Sequence, residues 1–171
     1  MGQGKRGTLL ESNINETNKI YQQKNLALIK KQPTPIKVLK TKGVHILKGV
    51  YIQKGTVDYE GIYKGRAIAF EAKSTTNSTN FPLRNIPNHQ LIYLQQAESM
   101  GALCFFLLEF RTLSRVYLVP FYIIQTYVNK ALQGYRKSIP LYDCEYYGYK
   151  VTQREEIPLD YLPYVEKLLN S

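Results

Sequence analysis

Thr56-Val57-Asp58-Tyr59-Glu60-Gly61-Ile62-Tyr63-Lys64-Gly65-Arg66-Ala67-Ile68-Ala69-Phe70-Glu71-Ala72-Lys73 is the stretch from which the rest of the chain can be read. Gly55 to Gly61 is turn-prone and leads into Ile62-Tyr63. Lys64-Gly65 suits a tight hairpin turn, so Arg66 to Lys73 reads as the returning strand. A period of two puts Ile68, Phe70 and Ala72 on one face of that strand. It puts Ala67, Ala69, Glu71 and Lys73 on the other. Asp58 and Glu71, with twelve residues between them, then lie on adjacent strands. Two such carboxylates can converge on one divalent cation, and hard oxygen ligands suit Mg²⁺ or Mn²⁺. Lys73 points to the same side, where an ammonium can offset charge growing on a phosphorane or hold the attacking water. A Glu and a Lys on an otherwise apolar strand are costly to bury unless they act together. An ordinary cross-strand salt bridge, or an edge strand with a wet polar face, would have the same spacing.

Upstream, Thr8 precedes an amphipathic stretch running to about Lys31, with Leu10, Ile14, Tyr21 and Leu28 near helical spacing. Thr8-x-x-Glu11 reads as a capping box, and Gln32-Pro33-Thr34-Pro35 ends the helix. Residues 1–7 read as a flexible basic arm carrying Lys5 and Arg6. From Ile36 to Gln53 apolar residues alternate with polar ones, as in two strands joined at Lys42-Gly43 with lysines on the wet side. Lys37, Lys40, Lys42, Lys48 and Lys54 fall in this short stretch. They are candidate DNA contacts, although a solvated strand face would look the same.

Downstream, Ser74 to Asn80 reads as a polar loop. Asn88 is placed to cap a helix running to about Met100, with Gly101 as its stop. Ala102 to Phe110 is nearly continuously apolar, as in a buried central strand, and Val116 to Val119 is expected to pair with it. Pro120 opens a helix to about Leu132. Gly134 to Val151 reads as irregular and tyrosine-rich, and Leu159 to Leu169 as a last short helix. The order of elements is that of an α/β fold.

The 171 residues fit a single domain. Lysine plus arginine is 23 and aspartate plus glutamate 13, a net charge of +10 that favours polyanions such as nucleic acid. Hydrophobic residues make up 44%, which excludes disorder over most of the chain. No apolar run approaches the ~20 residues of a membrane span, and the N-terminus has no apolar signal segment. Two cysteines are too few for a disulfide framework or a zinc cluster. An intracellular, soluble, basic single-domain protein without membrane contact is the expectation.

The hairpin constellation resembles the PD-(D/E)xK nuclease motif. The likeness extends along most of the chain. Thr8-Leu9-Leu10-Glu11, Asn15, Tyr21, Pro33-Thr34-Pro35-Ile36, the stretch from Thr56 to Arg66, and Phe70-Glu71-Ala72-Lys73 follow the order of the RecU family of Holliday junction resolvases. Phe81-Pro82-Leu83-Arg84-Asn85-Ile86, His89-Gln90, Ser138-Ile139-Pro140 and Leu159-Asp160-Tyr161-Leu162 continue it. Val57 stands where the wider motif has Pro.

The resemblance implies a restriction-endonuclease-like core, with a central mixed β-sheet flanked by helices and a projecting β stalk over about residues 36–55. It implies a homodimeric, Mg²⁺-dependent endonuclease that cuts four-way DNA junctions by paired symmetric nicks in recombination and repair, in company with recombination proteins. Its metal site maps onto Thr56, Asp58, Glu71 and Gln90, and its transition-state lysine onto Lys73. Asp58, Glu71 and Lys73 are therefore the expected catalytic residues. Glu11 reads either as a near-metal acid or as half of a capping box. Two rival readings remain: another PD-(D/E)xK repair or restriction-type nuclease, and a junction-binding architectural protein without efficient cleavage.

Overall fold

The computed structural model describes residues 8–52 and 56–170. The arm with Lys5 and Arg6, and Lys54, lie outside the described residues. In chain order the elements are α1 (Thr8–Gln23), β1 (Leu28–Lys31), β2 (Ile36–Lys42), β3 (His45–Tyr51), β4 (Tyr59–Tyr63), β5 (Arg66–Thr75) and β6 (Asn80–Pro82). Then follow α2 (Asn88–Ser99), β7 (Leu103–Phe110), β8 (Arg115–Pro120), α3 (Phe121–Leu132), β9 (Ser138–Pro140), α4 (Leu141–Tyr147), β10 (Tyr149–Val151) and α5 (Leu162–Leu169).

A six-stranded mixed sheet, ordered β1-β4-β5-β7-β8-β10, forms the centre. Only β5 and β7 pair in parallel, and α2 makes the crossover between them. The β4–β5 hairpin forms where the sequence places it, with Lys64 and Gly65 both at positive φ, 48° and 76°. That is the backbone a two-residue turn of matching twist requires. Gly61 on β4 is needed for a different reason: a Cβ there would sit 2.2 Å from the Leu28 carbonyl oxygen of β1.

The two faces of β5 feed two cores. Ile68 and Phe70 join Leu10, Ile14 and Tyr21 of α1 and Leu162 and Val165 of α5. Ala69 joins Leu94 of α2, Phe106 and Leu108 of β7, and Ile123 and Ile124 of α3. An aromatic ladder crosses the first core. Tyr59 stacks on Phe70 at 4.8 Å between ring centroids, and Phe70 on Phe105 at 4.7 Å. These residues are direct register partners across β4, β5 and β7. The stack therefore fixes the register, and a slip of one residue would turn Glu71 to the opposite face.

Four sequence expectations need correction. Helix α1 ends at Gln23, not near Lys31; Asn25 takes a left-handed backbone (φ 54°), and Leu28–Lys31 pairs with β4 as an edge strand. The buried face of α1 comes from Leu10, Ile14, Thr17, Asn18 and Tyr21, whereas Leu28 is exposed. Asn88 does not cap α2, because Pro87 holds the N-cap position and Asn88 is already helical. Gly134–Val151 is not irregular: β9, α4 and β10 occupy it, with β9 paired to β6 and β10 to β8.

The fourth correction concerns the lysine-rich strands. β2 and β3 do pair with each other, but as a separate two-stranded sheet. Lysines were expected on one wet side, whereas every residue of both strands is exposed. Alternation could not reveal this, because Val38, Ile46 and Val50 alternate with polar residues as a buried face would while none of the described residues covers them.

Candidate active site

The site forms where β4 stops and β5 continues. The β4–β5 ladder begins at Tyr59 and Phe70, so beyond Phe70 the strand β5 has no β4 residue opposite it. The next backbone donor on that edge, Ala72 N–H, is taken by the Asp58 carboxylate, with Oδ2 at 3.1 Å. In return Asp58 N–H donates to Glu71 Oε1 at 3.0 Å. Each carboxylate thus extends the hydrogen bonding of the sheet past its ladder. Both side chains are held by the same two bonds.

Lys73 completes the cluster. Its Nζ lies 2.7 Å from Glu71 Oε2 and 3.7 Å from Asp58 Oδ2. Glu71 is fully buried, Lys73 is 18% exposed and Asp58 35%. Glu71 Oε2 touches the ammonium but accepts no well-aligned hydrogen bond among the described residues. Burial pushes the Glu71 carboxyl up to about 8, and the nearby Asp58 adds to this. The Lys73 ammonium opposes the shift without cancelling it.

Asp58 and Lys73 open onto a cavity of about 350 Å³. Leu10, Glu11, Lys31, Tyr59, Ala72 and Ser74 complete its wall. Glu11 therefore reaches the site from α1, and its carboxylate is ion-paired with Lys31 of β1. The capping box of Thr8 with Glu11 rests on a Thr8 side chain that lies outside those described. Lys31 was hidden in the sequence by the helical reading. The signal that could have found it is the short Leu28-Ile29-Lys30-Lys31 run before Gln32-Pro33.

The other expected residues are more scattered. Thr56 is exposed, two residues before Asp58. Gln90 is in the first turn of α2, 8% exposed, and its Oε1 is buried without a hydrogen bond among the described residues. Neither makes a described contact with Asp58, Glu71 or Lys73. One turn along α2, the Tyr93 hydroxyl donates to Glu60 of β4, which raises the phenol to about 12. Glu60 pairs with Ala69, so it shares the face that carries Glu71. This bond, which sequence reasoning missed, ties the helix carrying Gln90 to the strand face carrying the acids. Lys37, Lys40, Lys42 and Lys48 are exposed on β2 and β3, away from the buried cores.

The donor set fits a hard divalent cation. Asp58 and Glu71 offer only oxygen, and the buried Glu71 has too little positive charge around it to ionise at its ordinary pKa. The unpaired Gln90 Oε1 adds a neutral oxygen on the helix bonded to the same sheet face. Among the described residues no three His, Cys, Asp or Glu side chains cluster closely. Any cation here would rest on two carboxylates supplemented by neutral oxygens. Among the described residues, no helix is long and apolar enough to cross a membrane.

Comparison with known proteins extends this reading. A family model described as Recombination protein U matches residues 5–167. The chain is 38% identical over 173 residues to a Holliday junction resolvase RecU of Geobacillus sp. (strain WCH70), covering 98% of this chain and 86% of that one. It is 36% identical over 173 residues to the protein of the same name from Pediococcus pentosaceus, with 98% and 86% covered. The Oenococcus oeni protein of that name is 38% identical over 172 residues, with 98% and 87% covered.

Proposed function

The chain belongs to the RecU family, and from that premise we propose that it is a Holliday junction resolvase, a metal-dependent endonuclease that cuts four-way DNA junctions by paired symmetric nicks. The observation that carries this reading is the reciprocal lock of Asp58 and Glu71 with Lys73 between them, at the open end of a sheet. Relatives named for this activity along nearly the whole chain support it.

Asp58 and Glu71 are the residues that would hold Mg²⁺ or Mn²⁺, with Thr56 and Gln90 contributing directly or through water. When bound, such a cation supplies a water of lowered pKa and offsets charge on the phosphoryl oxygens. The chain's own part is positional. The backbone bonds at Asp58 and Ala72 hold both carboxylates in place before substrate arrives, which removes a reorganisation cost from the reaction. Lys73 keeps an ammonium in the cavity wall, where it stabilises charge developing on phosphorus-bound oxygens. Glu11 lies in the same wall, paired to Lys31, and acts as an outlying acid of the site.

A four-way junction is close to two-fold symmetric, so a C₂ homodimer would present one site to each of two opposed strands. The exposed β2–β3 hairpin, with Lys37, Lys40, Lys42 and Lys48, is the element suited to enter the junction. Recombination proteins are the expected partners in the cell.

The test is cleavage of a labelled four-way junction beside linear duplex of the same sequence, with wild type and Asp58→Ala, in Mg²⁺, Mn²⁺ and EDTA. Symmetric nicks in the junction alone, lost in EDTA and in the variant, are expected. Equal cutting of linear duplex would point to another nuclease of the same superfamily. Junction shifted but uncut in every metal would mean an architectural protein.

A further inference from the structure

A second groove, of about 490 Å³, adjoins the active-site cavity. Ser74, at the end of β5, belongs to the wall of both. The groove is lined by Ser74, Thr75, Thr76, Asn77, Pro82, Arg84, Asn85 and Arg111. Its chemistry is one-sided: hydroxyls, amides and two guanidiniums, without a carboxylate in the lining. Arg84 sits in the turn Leu83–Asn85 after β6, and Arg111 in the turn Arg111–Leu113 after β7.

Arg84 is exposed and forms no ion pair among the described residues, whereas Arg115 is paired with Glu145 and Arg154 with Asp160. The nearby Glu109 carboxylate is taken up by the Ser74 hydroxyl, which donates to it at 2.5 Å; Glu109 lines a neighbouring groove whose wall also includes Arg111, so Arg84 is the cation that the anion site can count on. A concave surface of donors around an unpaired guanidinium is a site for an anion with several acceptor oxygens.

We propose that this groove binds a DNA phosphate next to the one that is cut, with Arg84 as its cation and the Thr76 hydroxyl and the Asn77 and Asn85 side-chain amides as its neutral donors. The proposal rests on the nuclease reading and deepens it. It makes the polar segment after Lys73 a rail that sets which phosphodiester reaches Asp58 and Glu71. Ser74 follows Lys73 directly in β5, so a phosphate held in the groove would lie beside the end of the strand that carries the catalytic ammonium.

The test is equilibrium binding of a four-way junction in EDTA, where cleavage is off, across a salt series, for wild type, Arg84→Ala, Arg84→Lys and Arg66→Ala. Arg66 opens β5, eight residues before Ser74 and roughly 26 Å away along an extended strand, so its loss is a charge-matched control. A single phosphate contact contributes about 0.9 to the log–log salt slope. Arg84→Ala is expected to lower the slope by about that amount and weaken binding several-fold, Arg84→Lys to restore the slope, and Arg66→Ala to leave it unchanged. Cleavage by Arg84→Ala in Mg²⁺ should become less uniform in position.

If Arg84→Ala matches Arg66→Ala in slope and affinity, the groove holds no phosphate and the proposal fails, while wild-type cleavage keeps the resolvase reading. If wild type binds but never cuts, the enzyme reading fails, and a lowered slope in Arg84→Ala would still support the groove. If wild type binds no DNA at any salt, both fall.

Discussion

Glu71 makes the stability of the metal-free protein depend on pH in a way that a bound cation should reverse. Its carboxyl is held at about 8 in the folded chain, against an ordinary 4.5. Because the folded value is raised, the folded state binds the proton more tightly than the unfolded chain does. Stability is then complete below about pH 4.5 and is lost as pH rises towards 8. Each pH unit in that window removes about 1.4 kcal/mol. The loss is about 3 kcal/mol at pH 7 and levels off near 5 kcal/mol above pH 8. For a chain of this size 1 kcal/mol moves Tm by roughly 2–4 °C, so Tm should fall by several degrees per pH unit. A divalent cation needs the ionised carboxylate, so saturating Mg²⁺ should raise Tm little at pH 5.5 and most above pH 8. The assay is thermal unfolding of wild type and Glu71→Gln from pH 5 to 9, in EDTA and in Mg²⁺. Other groups titrate in both proteins, so the difference between the two curves isolates Glu71. A difference that stays flat across the window would refute the buried-acid argument. A Mg²⁺ effect that is equal at pH 5.5 and 8.5 would separate the cation from this carboxylate.

Two further outcomes follow from single side chains. Lys73→Ala should abolish most junction cleavage while leaving junction binding within a few-fold in a gel-shift assay, because its ammonium meets the carboxylates of the site rather than the exposed hairpin; surviving cleavage would remove its catalytic role. Tyr21→Phe should cost about 3 kcal/mol in denaturant unfolding, since its buried hydroxyl donates to Asp160 at 2.7 Å and accepts the Tyr161 and Leu162 N–H groups; a loss below about 1 kcal/mol would mean that these groups find other partners.

The legible parts of the fold were those where one local signal sufficed. Lys64-Gly65 admits few backbones other than a tight turn, and the turn alone sets Asp58 opposite Glu71. The apolar run at Leu103–Phe110 is a central strand because only a strand covered on both faces can be so uniformly hydrophobic. Where two signals competed, sequence reasoning chose wrongly. Leu28 continues the helical spacing of Leu10, Ile14 and Tyr21, but the chain leaves the helix at Lys24-Asn25. What draws Leu28–Lys31 into the sheet is the bare edge of β4, opened by Gly61 thirty-odd residues away in sequence. No window of local pattern contains that edge. Tyr142, Tyr146 and Tyr147 similarly obscured α4, because aromatic residues favour strands and helix surfaces bury little of them.

The site divides along the same line. Asp58, Glu71 and Lys73 could be found because a period of two and a single turn relate them. Lys31, Ser74 and the Tyr93–Glu60 bond could not, because each depends on an element whose place is decided by the rest of the fold. These less legible residues share a role. Lys31 occupies Glu11, Tyr93 anchors the helix that carries Gln90, and Ser74, which lines both the Asp58–Lys73 cavity and the arginine-lined groove, occupies Glu109. Each one fixes a neighbouring acid by pairing with it. Outside the Asp58–Glu71 pair, the carboxylates around this site are already engaged, which leaves the deficit of positive charge concentrated at the buried Glu71. A cation held at this site would therefore meet one under-compensated acid beside Asp58 rather than several weak ones, because the surrounding pairs already engage the other carboxylates.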